Sequence, residues 1–294
     1  MAKCLNGIIL GVFQSAQMLY LMHFSEEKLN GFHGSFVEVA ITLSISILNI
    51  LLSCIHWKIV SVILSVQSFI FGGLIWLIPE VKVIPKSYSR QYIYKQPFLK
   101  YTIIMILIMT IQLFSGIGFM IDNTPRLLKS IGIELSSYIQ IALSNFISCL
   151  TAFISAFIID AVGVSYMWAF SSFGTVLSLV IYDITLRVDC PKWVGVFGVF
   201  LYFLFFGFGE GTIPWMLSGL LFPESLMIES ASILTFTNRF MDIWFDYFLK
   251  AVTKALGEFG SIAFNAAVSL FGIWFGLYFI PNLKKNYIES ITVF

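Results

Sequence analysis

Charge is scarce in this 294-residue chain. Lys and Arg number 17 and Asp and Glu 16, together 11% of residues, against about 25% in a soluble domain. The formal net charge of +1 offers no polybasic surface for nucleic acid. Histidine is nearly absent. His23, His33 and His56 all fall at the ends of apolar runs, which argues against a buried histidine metal centre. The four cysteines, Cys4, Cys54, Cys149 and Cys190, stand far apart. Without Cys-x-x-Cys spacing they read as small buried hydrophobes and not as a redox or metal framework. Enzyme signatures are missing too: no His-Glu-x-x-His, Gly-x-Ser-x-Gly or Walker loop occurs. Neither a cofactor, a metal site nor catalysis is therefore expected.

Long hydrophobic runs take up the space. Hydrophobic residues make up 59% of the chain. Nine runs approach the roughly 20 residues needed to cross about 30 Å of hydrocarbon: 5–22, 35–55, 59–78, 101–121, 135–159, 161–182, 193–221, 228–252 and 262–280. The pattern predicts an all-α polytopic membrane protein with about nine transmembrane helices, a mature first helix in place of a cleaved signal, and lipid as its surroundings. The polar stretch 79–100, with Pro79, Pro85, Pro97 and five cations, separates an N-terminal group of three spans (1–78) from a C-terminal group of six (101–294). Counting cations on alternate faces gives eight against seven. The cluster in 79–100 decides for a cytoplasmic linker and C-terminus, with the 122–134 loop outside.

Two helices carry their own interruption. Gly207, Gly209, Gly211 and Pro214 loosen the run 193–221, and Gly116, Gly118 and Pro125 do the same to 101–121. A broken helix is tolerated in a bilayer where the freed backbone faces protein or a wet cavity, and in transporters such helices line the substrate site. The same glycines also suit close helix packing through small residues.

Residues 206–223, FGFGEGTIPWMLSGLLFP, resemble the pattern G-x-G-P-I-P-W-x-x-x-x-E-L-F-P of the sugar porters in the major facilitator superfamily. Gln112-Leu-Phe-Ser-Gly-Ile117 is similar to that family's Q-Q-L-S-G-I-N, with Pro125 where its Y-Y-x-P places proline. Pro79-Glu80 resembles the start of P-E-S-P-R, Pro281 to Lys284 resembles P-E-T-K-G, and Asn30 to Gly34 resembles R-G-x-x-G between the fourth and fifth helices. The resemblance implies a twelve-helix fold of two six-helix bundles. This chain would begin at the fourth helix, giving a truncated major facilitator fold with a shortened linker.

The resemblance also assigns roles. Gln112 takes the place of a sugar-binding glutamine, Trp215 that of a sugar-stacking tryptophan, and Asn238 that of an eleventh-helix asparagine. Leu113, Gly118 and Ser148 stand where the family has amides, and Glu38 where it has a fifth-helix glutamine. After the eighth helix, Asp160-Ala-Val-Gly163-Val-Ser165 lacks the arginines of the gating motif D/E-R-x-G-R-R. The expected solute site is Gln112, Ser115, Trp215 and Asn238, with Gln112 and Ser115 one turn apart on a shared face. Glu210, Arg239 and Asp242 are intramembrane charges, where function is the default expectation. Arg239 is placed in a structural pair with Asp242 or Glu210. Glu210 is either a proton-coupling carboxylate or an acid reaching from a helix end, and Glu38 is read as an acid near a helix end. The function expected is secondary transport of a small polar, sugar-like solute by alternating access, at the plasma membrane. The alternative is a non-transporting remnant or sensor-like protein of the same fold. Oligomeric state stays open.

Overall fold

The computed structural model describes residues 2–24, 30–77, 90–130, 135–188, 190–191 and 193–281. Most of the proline-rich linker (78–89) and the tail after 281, including the stretch likened to P-E-T-K-G, lie outside the described residues. Ten helices make up the fold: α1 (Ala2–His23), α2 (Asn30–Cys54), α3 (Trp57–Leu74), α4 (Phe98–Phe114), α5 (Ile117–Ser130), α6 (Ser137–Val162), α7 (Val164–Arg187), α8 (Trp193–Phe208), α9 (Ile213–Leu221) and α10 (Glu224–Phe279). No strand occurs among the described residues.

Seven helical stretches among the described residues are long and apolar enough to span a bilayer, where the sequence led us to expect about nine. The difference has two sources. Ala2–His23 is not among the seven, and the last stretch, Ser225–Phe279, combines two of the expected runs. A straight helix of 56 residues would measure about 84 Å, far beyond the hydrocarbon thickness. Gly257, at φ 74° and ψ −174°, breaks it. The two limbs fold back on each other: Thr253 Oγ1 lies 2.6 Å from Ser261 Oγ, and the Phe248 and Phe264 rings are 5.0 Å apart. In one continuous helix, residues eight apart would be separated by about 12 Å.

The other interruptions follow local chemistry. Helix α4 stops at Phe114, and Gly116 at φ 108° turns the chain into α5. Ser136 caps α6 by accepting from the Ile139 amide, and Gly163 at φ 100° ends it. Between α8 and α9, residues 209–212 leave the helix, the Gly211 amide donating to Phe206 O at 2.8 Å, and Pro214 sits in the first turn of α9. The break is also tightly packed, since a Cβ on Gly209 would lie 2.7 Å from Met167 O. The glycines therefore serve both purposes that the sequence allowed.

Packing sets apart the lipid-facing and cavity-facing surfaces. Helix α2 lies along α6 through small residues: Ser46 donates to Ala142 O at 2.9 Å, and Cys149 Sγ approaches Val39 O at 3.6 Å. Close contact of this kind relies on side chains that let backbones approach. One buried cluster joins α4, α9 and α10 around Met105, Ile108, Met109, Ile213 and Leu217. Another joins α5, α7 and α8 around Met120, Leu179, Tyr202 and Phe203. By contrast α3 buries only Val60; Phe69 stands open on its surface, as does Trp76 in the 3-10 turn that follows it.

Candidate solute site

A cavity of about 260 Å³ opens where α1, α2, α4, α6, α8, α9 and α10 converge, close to the lower end of typical ligand pockets. Gln112 of α4, Trp215 of α9 and Asn238 of α10 all line it. The break after α8 brings them together. Without the turn at 209–212, α9 would continue the axis of α8. Gln112 Nε2 donates to Gly211 O at 3.4 Å, a long contact, on the unwound segment itself. Its Oε1 is buried with no hydrogen-bond partner. Asn238 Nδ2 lies 3.3 Å from Met109 Sδ, a weak acceptor, so its amide keeps most of its bonding capacity.

Ser115 is a correction. It does not line the cavity; its hydroxyl donates to Gln112 O at 2.7 Å and lies 3.3 Å from the Tyr202 hydroxyl of α8. Ser115 keeps the helical register as the C-cap of α4, its amide donating to Ile111 O at 2.8 Å, but its hydroxyl is taken up by its own turn and by α8.

Glu38 corrects the opposite error. It is buried, 6% exposed, and lines the cavity. Among the described residues its carboxylate has no ion pair and no hydrogen bond. Reading α2 alone placed this acid near a helix end. The match to the family's fifth-helix glutamine was the signal that pointed inward. Asn145 and Ser148 of α6 add polar groups to the same wall.

The charges of α10 are also placed differently from a self-contained pair. Arg239 and Asp242 reach the cavity, but Arg239 donates to Gln14 Oε1 of α1 at 3.3 Å instead of closing a salt bridge with Asp242. Further along the helix, Asp246 and Lys250 join Asp122, Arg126, Lys254 and Glu258 around a wider, charged recess of about 650 Å³. Glu210 lines neither. It is fully buried on the far side of the break, its Oε1 accepting from Ser172 at 2.8 Å and Thr175 at 3.4 Å.

At the other end of the molecule, Asp160 at the end of α6 meets the start of α2. Its Oδ2 accepts from the Phe32 amide at 3.1 Å, and Gly31 packs so closely on it that a Cβ there would overlap the carboxylate.

Seven stretches long and apolar enough to cross a bilayer among the described residues, packed around a polar cavity, define a multi-pass integral membrane protein. The solved structures agree on the fold. The major facilitator superfamily proton:xylose symporter XylE bound to 6-bromo-6-deoxy-D-glucose superposes at TM-score 0.75, with 13% identity, over 94% of this chain and 69% of that one. A partially occluded inward-open conformation of the xylose transporter XylE from E. coli gives 0.65, at 14% identity, over 92% and 67%.

The chain belongs to the family described as "Sugar (and other) transporter", whose profile matches residues 81–294. Similar proteins include Trehalose transporter 1 of Drosophila melanogaster, 26% identical over 63% of this chain, and Facilitated trehalose transporter Tret1 of Polypedilum vanderplanki, 24% identical over 72%. The aligned segment spans 22% of the first and 46% of the second, so the chain corresponds to less than half of these relatives.

Proposed function

We propose that this chain forms the solute-binding part of a secondary transporter for a small polar, sugar-like molecule, working by alternating access and leaving the solute chemically unchanged. The observation that carries this reading is the convergence of Gln112, Trp215, Asn238 and Glu38 on one cavity beside a broken helix. Trp215 offers an apolar ring face for the C–H face of a sugar. Gln112 Oε1, buried without a partner, is an acceptor awaiting a hydroxyl; leaving it unsatisfied costs about 1–3 kcal/mol. Asn238 supplies a further amide and Glu38 a strong acceptor. Arg239 and Asp242 stand at the rim, where they bias which solutes approach. The relatives' names, trehalose transporters and a xylose symporter, favour a sugar over an ion or lipid. We place the protein in the plasma membrane, with the linker 79–100 cytoplasmic.

The test is uptake of radiolabelled trehalose into proteoliposomes holding the purified chain. We expect saturable uptake that Trp215→Ala abolishes while insertion and yield stay unchanged. Binding of trehalose without flux would favour the sensor-like alternative. Uptake equal in the wild type and Trp215→Ala would remove the site assignment.

A further inference from the structure

Behind the solute cavity lies a second polar cluster that solute binding does not use. Its centre is Glu210, 0% exposed, in the middle of the stretch Trp193–Leu221. Every side of it is furnished with hydroxyls. Ser172 and Thr175 of α7 donate to Oε1. Ser171 accepts from the Glu210 amide at 2.8 Å, and Ser115 reaches the same carboxyl from the end of α4. Ser115 in turn meets Tyr202 of α8. Oε2 has no hydrogen-bond partner among the described residues. On the second limb of α10, Asn265 is fully buried against Gly116, the neighbour of Ser115, and both its amide atoms are also without partners.

Among the described residues no cation balances this acid. The titratable group beside it, among those same residues, is Tyr202 of α8; Glu38 of α2 lies across the break, its Oε1 against Gly211. From the end of α4 and from α7 the groups on its carboxyl are Ser115, Ser172 and Thr175, none of which titrates, and the second limb of α10 brings Asn265 against the adjoining Gly116. A buried carboxylate without a counter-charge is neutralised or strongly destabilising. Oε1 is committed as an acceptor, so Oε2 is the atom left to carry a proton.

We propose that Glu210 is a proton-binding site, distinct from the solute cavity and linked to it through the unwound segment 209–212. The O–H bond forms at Oε2 with a proton from one aqueous face and breaks to release it when the segment rearranges. The link is short. Gly211 O is held by Gln112, which lines the cavity, and Glu210 is the preceding residue. Solute that takes hold of Gln112 therefore acts on the backbone that positions Glu210. This coupling rests on the transport reading above; the proton site itself does not.

Infrared difference spectroscopy of the purified wild type separates the two. We expect the carbonyl stretch of a protonated carboxyl that is absent in Glu210→Gln, persists in Glu38→Gln, and titrates within roughly pH 4 to 10. The absence of any Glu210-dependent band would overturn the proposal. So would a band unchanged across that range, which marks a permanently protonated structural acid, or one governed by sodium and not by pH. Should Glu210→Gln not fold, Ser172→Ala serves in its place. Loss of that donor must shift the titrating band, and an unshifted band rejects the assignment. In proteoliposomes we expect an inward acid gradient to raise trehalose uptake about fivefold in the wild type and not in Glu210→Gln, whose trehalose exchange persists. Uptake indifferent to the gradient would overturn the coupling. Absence of trehalose uptake altogether, beside a titrating Glu210 band, would count against the transport reading and leave the proton site standing.

Discussion

At the scale of single residues, the unsatisfied amide of Gln112 ties stability to binding. Its Oε1 is buried without a partner, and replacing the amide by an apolar side chain of similar size removes that cost. Gln112→Leu should therefore raise the thermal midpoint of the ligand-free protein by an amount equivalent to about 1–3 kcal/mol, while weakening trehalose binding roughly 5- to 150-fold. Thermal unfolding and equilibrium binding on one preparation check both halves; a variant that loses stability as well would show that the Gly211 contact outweighs the orphaned oxygen. Asn238→Ala removes an amide facing only a sulfur, so its loss of binding should be smaller than that of Trp215→Ala. The sequence disclosed these three residues through their spacing within family motifs. It misplaced Ser115 because spacing along α4 does not reveal that Tyr202 of α8 meets its hydroxyl, and it undervalued Glu38 because the hydropathy of one helix does not say which neighbour covers an acid.

At the scale of elements, the fold is governed by where helices stop. Hydropathy made the spans legible because a bilayer imposes both length and polarity. The reversal at Gly257 was visible as the gap between the runs 228–252 and 262–280. What hydropathy leaves out is pairing. The close seat of α2 on α6 depends on Ala142, Cys149 and Ser46 meeting across nearly a hundred residues of sequence, and nothing local to either helix specifies it. Two tests belong here. Cysteines at Thr253 and Ser261, in a background without native cysteine, should cross-link under mild oxidation because the present oxygens are 2.6 Å apart; thiols that stay free would mean the limbs do not form a hairpin. Gly209→Ala places a methyl 2.7 Å from Met167 O. Overpacking of this type costs about 1–3 kcal/mol, so a fall in thermal midpoint is expected, with no change if the break can shift.

At the scale of the whole molecule, the solute cavity and the Asp160 contact lie at different depths along one helix. Ser148 lines the cavity and Asp160 closes on α2; twelve residues of helix separate them by about 18 Å. The arginines of the gating motif are absent here, and Asp160, itself exposed, instead holds the N-terminus of α2 through a backbone amide. A carboxylate at a solvated helix N-terminus is worth about 0.3–1 kcal/mol. A latch that weak would favour one conformation without locking it, which suits the alternating access proposed above. Replacing Asp160 by Ala should therefore shift the balance only modestly towards the form open at that end. With a cysteine at Ser148 in a background without native cysteine, alkylation by an impermeant reagent supplied from the Asp160 side should quicken about two- to fivefold. Asp160→Asn, which keeps an acceptor and loses the charge, should fall between. If Asp160→Ala leaves the rate unchanged, the contact only caps a helix, and the closure of that end must come from the packing of α2 on α6.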